Sequence, residues 1–169
     1  MGCVYWITGL SGAGKTTIGK LLYQKMKEKA ANTVFLDGDV LRKVFGDDLG
    51  YTKDDRKRCA MRYARLCGLL ADQGINVICC TISMFDSVRE WNRCNIRDYR
   101  EIYVKVPMHV LQERNQKGLY SEAVSRNDVS LVGVTYEMEE PKSPDLVLNN
   151  EGALSPKEQV DIICRYWEI

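Results

Sequence analysis

The chain has 169 residues, of which 45% are hydrophobic and 28% are charged, and this suits one globular domain with a substantial core. Its formal net charge of +1 provides no strong field for nucleic acid or an anionic membrane, so any anion recognition must be local. Charged residues interrupt every apolar run, so the sequence predicts neither a signal peptide nor a membrane span, and we expect a cytoplasmic protein.

The first part of the chain predicts two strands and one helix. Residues 3–8 are a short apolar run rich in β-forming residues, which is typical of a buried strand. After a glycine-rich loop, apolar residues recur at helical spacing from Ile18 to about Lys29. Residues 33–36 predict a second strand that ends in Asp37-Gly38-Asp39, and we expect the basic stretch from there to Tyr51 to be irregular.

The remainder of the chain continues to alternate strands with helices. A long helix is predicted from Lys53 to about Gly74, because glycine is a typical residue at a helix end. Further strands are predicted at residues 75–82, 101–106 and 146–148, and further helices at 86–97, 108–115 and 155–167. The last helix begins with a capping box. Residues 117–143 are polar and mixed in composition, so we expect this segment to be mobile.

This alternation predicts the fold class. Consecutive strands that are joined by helices form a parallel sheet with helices on both faces. We therefore predict an α/β three-layer sandwich with about five strands, formed by one domain that covers residues 1–169.

The cysteines and the single histidine limit the chemistry that is available. None of the seven cysteines forms a CxxC pair and most stand in apolar runs, so we expect reduced core thiols of a cytosolic protein. His109 is the one histidine, which rules out a His-rich metal site and argues against Ser-His-Asp catalysis.

Residues 9–16, GLSGAGKT, satisfy the pattern GxxxxGK[ST] between a predicted strand and a predicted helix. Backbone N–H groups of such a loop converge on phosphates, the helix N-terminus adds positive charge, and Lys15 reaches the β- and γ-phosphates. The hydroxyl of Thr16 is expected to coordinate Mg²⁺. The motif as a whole predicts the P-loop nucleoside-triphosphate hydrolase and kinase fold and the use of ATP. The residues expected to bind ATP here are Gly9, Ser11, Gly12, Ala13, Gly14, Lys15, Thr16 and Thr17.

Asp37 and Asp39 follow the second predicted strand, at the carboxyl end where open α/β sheets bind their ligands. One carboxylate is expected to orient Mg²⁺ or its water, and the other to accept the proton of the acceptor hydroxyl. The residues alone do not decide which aspartate takes which role. A solvated Asp-Gly turn without a catalytic role is the alternative interpretation of this segment.

Two other function classes fit parts of the pattern. Residues 47–50 match the weak DxxG pattern of GTPases, but no NKxD guanine motif occurs, so we discount a GTP switch. A non-catalytic nucleotide-sensing module stays open, and ATP consumption against candidate acceptors would separate it from a kinase.

The chain resembles the adenylylsulfate kinase family over about residues 4–150. The shared motifs are specific because several occur in order. They are GLSGAGKTT (9–17), LDGD with Arg42 (36–42), DLGY (48–51), DDR (54–56), IS-x-F (82–85) and KGLY (117–120). A small-metabolite kinase of the gluconate or shikimate type shares the phosphate loop but would lack KGLY and the paired arginines, so it ranks lower.

The resemblance implies that the chain transfers the γ-phosphoryl group of ATP to the ribose 3′-hydroxyl of a small nucleotide, with Mg²⁺, in a protein that often forms dimers. By position, Asp39 resembles the family's catalytic aspartate and Asp37 resembles the neighbour of that aspartate. Asp37 and Thr16 would then bind the metal. The positions that match acceptor contacts are Arg42, Tyr51, Arg56, Cys59, Ser83, Phe85, Lys117, Leu119 and Leu131. Lys117 and Leu119 match the start of the family's lid, which places a lid at about 117–143, and Arg114 resembles the residue flanking the ATP adenine.

The departures from the family lie around the acceptor. Tyr51 and Leu131 stand where the family holds the acceptor adenine between two phenylalanines, and Cys59 stands at a usual asparagine. Leucine retains only part of a base–aromatic stack of about 1–3 kcal/mol. Cytidine diphosphoramidate kinases, which resemble this family and serve phosphoramidate decoration of bacterial capsules, suggest a cytidine nucleotide as acceptor. We rank that acceptor a little above adenylylsulfate itself.

Overall fold

Five parallel strands form one sheet in the computed structural model, which describes residues 1–46, 48–114 and 138–169. The strands are β1 (Val4–Thr8), β2 (Thr33–Asp37), β3 (Asn76–Thr81), β4 (Tyr99–Lys105) and β5 (Leu146–Asn149). Their order across the sheet is β2-β3-β1-β4-β5, and every neighbouring pair is parallel. The predicted α/β fold with about five strands is confirmed.

Helices cover both faces of this sheet. Those in the described parts of the chain are α1 (Lys15–Lys29), α2 (Gly38–Val44), α3 (Lys53–Asp72), α4 (Asp86–Asn95), α5 (Met108–Arg114) and α6 (Pro156–Trp167). Buried residues of α1, α5 and α6 share one apolar cluster with the sheet, and those of α2, α3 and α4 share a second cluster on the opposite face. The molecule therefore has three layers.

Strand β1 lies at the centre of the sheet and is largely apolar. All five of its residues are buried. Tyr5 and Ile7 join the cluster of α1 and α6, whereas Val4 and Trp6 join the cluster of α3 and α4. Since both faces of a central parallel strand are covered by helices, both sets of alternating side chains are mainly apolar, and the buried hydroxyl of Thr8 donates to the carbonyl oxygen of Ile82 at 2.7 Å. The carboxyl end of β1 consequently emerges from the middle of the sheet.

The stretch after Asp39 was predicted to be irregular, and this prediction is wrong because helix α2 covers Gly38–Val44. Asp37 caps the helix, since its side chain accepts a hydrogen bond from the backbone N–H of Asp39 at 3.0 Å. Leu41 is the one buried residue of α2, so the helix is too short and too polar for hydrophobic periodicity to reveal it. Its two basic residues, Arg42 and Lys43, stand in the last turn, where they suit the helix dipole.

Two further sequence expectations concern the rest of the scaffold. The capping box of α6 is present, because Ser155 and Glu158 exchange hydrogen bonds between side chain and backbone. All seven cysteines are free thiols, and all except Cys94 are buried, as predicted. No helix in the described ranges combines the length and apolar composition that a membrane span requires.

Gly19 in α1 packs closely against strands β2 and β3 of the sheet. A Cβ atom there would lie 2.2 Å from Sγ of Cys80 and 3.0 Å from Phe35. We expect Gly19→Ala to lower the free energy of unfolding by about 1–3 kcal/mol or more, because overpacking shifts the helix. Gly68→Ala in α3 is the matched control: the nearest atom would be at 3.6 Å, so this change should be neutral or stabilise by up to about 1 kcal/mol. Urea denaturation measures both, and equal effects would contradict the packing described.

Candidate active site

The loop between β1 and α1 exposes backbone N–H groups at the N-terminus of α1. Gly14 is the N-cap, with a left-handed φ of 97° and no side-chain capping bond. A Cβ atom at this position would lie 2.6 Å from Nδ2 of Asn150, so conformation and space both require glycine. The first turn of α1 contains no acidic side chain. Free N–H groups and the helix dipole therefore remain available to an anion.

Asn150 braces this loop from the far side of the sheet. Its Nδ2 donates to the carbonyl oxygen of Ala13 at 2.8 Å, and its backbone N–H donates to Lys105 at 3.0 Å. Arg114 donates from Nη2 to the carbonyl oxygen of Asn150 at 2.7 Å, so this arginine lies beside the loop. The sequence analysis did not single out Asn150. Its position directly after β5, at the carboxyl edge of the sheet, is the signal that would have found it.

Lys15 is folded back against the loop. Its side chain is buried, and Nζ donates to the carbonyl oxygen of Leu10 at 2.6 Å. Burial lowers the pKa of Lys15 to about 8, and the nearby carboxylates of Asp39 and Asp37 oppose this only in part. A phosphate next to Nζ would favour the charged form, so the lysine can exchange a carbonyl oxygen for a phosphate oxygen.

Thr16 and Asp37 connect the loop after β1 to the turn after β2. The Thr16 hydroxyl donates to Oδ2 of Asp37 at 2.8 Å, and Oδ1 of Asp37 accepts from the backbone of Asp39. A hydroxyl and a carboxylate oxygen this close, beside a phosphate-binding loop, suit Mg²⁺, which binds one or two protein oxygens together with phosphate oxygens and water. The residues present therefore fit the predicted metal.

Asp39 and Arg42 occupy one face of α2, three residues apart. Arg42 uses its guanidinium to organise the following loop. Its Nη2 donates to the carbonyl oxygens of Leu49 (2.6 Å) and Gly50, and its Cζ lies 4.1 Å from the centre of the Tyr51 ring. The helix that carries one predicted catalytic carboxylate thus also holds the loop that carries the predicted base-stacking residue.

Tyr51 presents an aromatic ring that is 56% exposed. Arg42 covers one face of the ring, and the guanidinium of Arg56 lies 5.2 Å from its centre. Arg56 also donates from Nε to the carbonyl oxygen of Tyr51 at 3.0 Å. The three predicted acceptor residues Arg42, Tyr51 and Arg56 are therefore brought together, and two cationic groups adjoin a partly exposed aromatic ring.

Cys59 lies one turn after Arg56 on α3, but its side chain is only 4% exposed. Its Sγ lies 3.0 Å from the hydroxyl of Tyr63, and Nη1 of Arg42 points to it at 3.7 Å. The buried thiol thus contacts Arg42, one of the predicted acceptor residues. Tyr63 was not singled out from the sequence, although its position four residues after Cys59 places both on the same helix face.

The loop after β3 holds the predicted residues Ser83 and Phe85. Ser83 is a non-glycine residue at a positive φ of 24°, and its buried hydroxyl has no hydrogen-bond partner in the part of the chain that is described. Such backbone strain is often found at functional sites. Phe85 is buried in the core with Leu41 and Val88, so it supports α2 and α4 from within.

The remaining acceptor predictions, Lys117, Leu119 and Leu131, lie outside the described residues, as does most of the predicted lid at about 117–143. The last residues of that range are described. Glu139 accepts from the backbone N–H of Asp86 at 2.6 Å, and Lys142 forms an ion pair with Asp86 at 2.9 Å. These contacts attach the segment at 138–142 to the start of α4.

Residues 1–149 match the protein family described as adenylylsulphate kinase. The protein named Cytidine diphosphoramidate kinase from Campylobacter jejuni is 42% identical over 162 residues, which cover 96% of this chain and 94% of that protein. An adenylyl-sulfate kinase from Halothermothrix orenii is 37% identical over 150 residues, which cover 89% of this chain and 81% of that protein.

The solved structures give a similar result. The structure of the Mycobacterium tuberculosis APS kinase in complex with AMPPNP and APS matches with a TM-score of 0.90 at 32% identity. The match covers 99% of this chain and 98% of that chain. The similarity therefore extends over the whole length, including the loop after β1 and the turn after β2.

The low pKa of Lys15 predicts that ATP binding takes up a proton at alkaline pH. At pH values above the Lys15 pKa of about 8, this side chain is mostly neutral in the ATP-free protein, and bound phosphates restore its positive charge. At pH 8.5 we expect uptake of roughly 0.7 proton per ATP, and at pH 7 only about 0.1. Calorimetric titration in two buffers of different ionisation enthalpy measures this uptake.

Lys15→Arg is the control for this measurement, because a guanidinium stays charged across the same range. Its ATP binding should take up no additional proton between pH 7 and pH 8.5. Proton uptake by the unmodified protein that does not grow over this interval would show that Lys15 is already charged before ATP binds.

Proposed function

Because the chain belongs to the adenylylsulfate kinase family, we propose that it transfers the γ-phosphoryl group of ATP to the ribose 3′-hydroxyl of cytidine diphosphoramidate. The chain is a phosphotransferase that acts on a nucleotide hydroxyl and uses ATP. The cytidine compound, the metal and the residue roles below are the proposed part.

The observation that carries the choice of acceptor is the greater similarity to the Campylobacter jejuni protein than to the adenylyl-sulfate kinase from Halothermothrix orenii. The acceptor side of the site supports it. Cys59 replaces the asparagine that the family usually has close to the acceptor, and its thiol is occupied by Tyr63 and Arg42. A thiol is also a poor substitute for an amide as donor or acceptor.

On the donor side, the backbone of the loop at residues 9–14 binds the phosphates, and Lys15 neutralises charge on the β- and γ-phosphate oxygens as the γ-phosphoryl group is transferred. Nζ of Lys15 releases the carbonyl oxygen of Leu10 to do so. Asn150 holds the loop in place through Ala13, and Arg114 lies beside it as the residue proposed to flank the adenine. Ser11 and Thr17 are proposed as further contacts to ATP.

On the acceptor side, Asp39 is proposed to accept the proton of the 3′-hydroxyl as that oxygen forms its bond to the γ-phosphorus. The bond between the γ-phosphorus and the β–γ bridging oxygen breaks, and ADP leaves with that electron pair. Arg42 and Arg56 carry the positive charge that the acceptor's anhydride requires, since a guanidinium fork suits its oxygens. Tyr51 offers the open part of its ring to the base.

Mg²⁺ would be held by the Thr16 hydroxyl and Asp37, whose oxygens lie 2.8 Å apart. Bound there, the ion would neutralise charge that develops on the β- and γ-phosphate oxygens. Asp37 also caps α2, so the residue proposed to serve the metal fixes the position of Asp39.

Adenylylsulfate is the second candidate acceptor, and the family match over residues 1–149 favours it. A direct comparison separates the two. With Mg²⁺ and ATP, we expect kcat/KM for cytidine diphosphoramidate to exceed that for adenylylsulfate by at least about tenfold, equivalent to 1.4 kcal/mol of transition-state binding. Coupled detection of ADP, with identification of the nucleotide product, measures both.

Two variants of α1 control this comparison. Lys15→Ala should abolish transfer to either compound, whereas Lys20→Ala, at an exposed position on the same helix, should leave both rates unchanged. Efficient turnover of adenylylsulfate with none of the cytidine compound would overturn the proposed acceptor and leave the kinase chemistry standing.

A further inference from the structure

We infer that Tyr63 is a positioning residue for phosphoryl transfer, because its side chain holds both ends of α2. The inference rests on the proposed function in one respect, namely that Asp39 and Arg42 of this helix act on the acceptor. Tyr63 itself is 5% exposed and lies beneath the site, so it acts through α2.

Helix α2 needs such support. It has seven residues, which is fewer than a helix requires for stability on its own. Leu41 is its one buried residue, and the Asp37 cap fixes the first turn alone. Residues on the outer face, including Val40, are exposed. The orientation of Asp39 and Arg42 therefore depends on contacts that other elements make with this helix.

Tyr63 contacts the beginning and the end of α2 at once. Its hydroxyl donates to the carbonyl oxygen of Gly38 at 3.0 Å, and Gly38 stands between Asp37 and Asp39. Its ring stacks on Phe45, the C-cap of α2, with a centroid distance of 5.9 Å and an interplanar angle of 17°. One side chain of the long helix α3 thus spans the short helix.

The hydrogen bonds of Tyr63 form a chain that starts and ends on α2. Since the hydroxyl proton of Tyr63 points to Gly38, the Cys59 thiol at 3.0 Å is the donor to the tyrosine oxygen. Arg42 in turn donates to Sγ of Cys59 at 3.7 Å. Burial raises the pKa of Tyr63, so the hydroxyl keeps its proton, and the chain keeps its direction, at neutral and mildly alkaline pH.

The consequence is selective for the acceptor side. The phosphate loop is held by Asn150 and by its own glycines, whereas the contacts of Tyr63 described above run to α2, Phe45 and Cys59. Removing the Tyr63 hydroxyl would leave the first turn of α2 with its Asp37 cap but without this hydrogen bond to α3, and would loosen Asp39 relative to the reacting hydroxyl. Small displacements of catalytic groups lower rates strongly. ATP binding should be unaffected.

Tyr63→Phe tests this inference, because it removes the hydroxyl and keeps the ring. Tyr5→Phe is the matched control: Tyr5 is a buried tyrosine whose hydroxyl accepts from Arg100 at 2.5 Å, away from the site. For each variant, kcat is expressed per ATP-binding site, so that loss of folded protein does not enter. We expect Tyr63→Phe to lower kcat at least about fivefold while Tyr5→Phe changes it less than twofold, with the Kd for ATP within twofold for both.

Hydrogen exchange of the α2 amides supplies a readout that needs no acceptor. We expect faster exchange at residues 38–45 in Tyr63→Phe, and unchanged exchange in α1 and in the Tyr5→Phe variant. Unchanged exchange at α2, or a kcat within twofold of the control, would overturn the inference. If the unmodified protein phosphorylates neither acceptor, the proposed function fails, and the exchange measurement alone then decides whether Tyr63 holds α2.

Discussion

The hydrogen bond between Thr16 and Asp37 is the contact on which the arrangement of the site depends. It joins the loop after β1, which is proposed to bind the donor, to the turn after β2, where the proposed acceptor side begins. Strand β3 separates β1 from β2 in the sheet, so the two loops meet across a neighbouring strand at its carboxyl edge. The same carboxylate caps α2, and the position of Asp39 is therefore fixed relative to Thr16.

The two halves of the proposed site consist of different kinds of chemical groups. The donor side consists mainly of backbone groups, glycines and one buried lysine, and such a site tolerates few substitutions. The proposed acceptor side is built from side chains on α2, α3 and the loop between them, where Arg42 contacts both Tyr51 and Cys59. This division explains how a chain can keep the family's chemistry while its acceptor pocket changes.

The sequence predicted the sheet because each strand is a short apolar run, and it predicted the phosphate loop because that motif is contiguous. It did not predict α2, whose seven residues bury a single side chain and therefore show no periodicity. It also did not reveal Asn150 and Tyr63. Asn150 contacts a residue that is 137 positions away in the chain, and Tyr63 contacts one that is 25 positions away. Only the fold brings such residues together.

The central proposal is that the ribose 3′-hydroxyl receives the phosphoryl group. Phosphorus-31 NMR of the product formed from ATP, Mg²⁺ and cytidine diphosphoramidate answers this directly. If the 3′-hydroxyl is the acceptor, the product shows one new phosphomonoester signal, coupled to the ribose H3′ proton, in an amount equal to the ADP released. A phosphomonoester coupled to another proton, or release of inorganic phosphate with an unmodified cytidine compound, would contradict it.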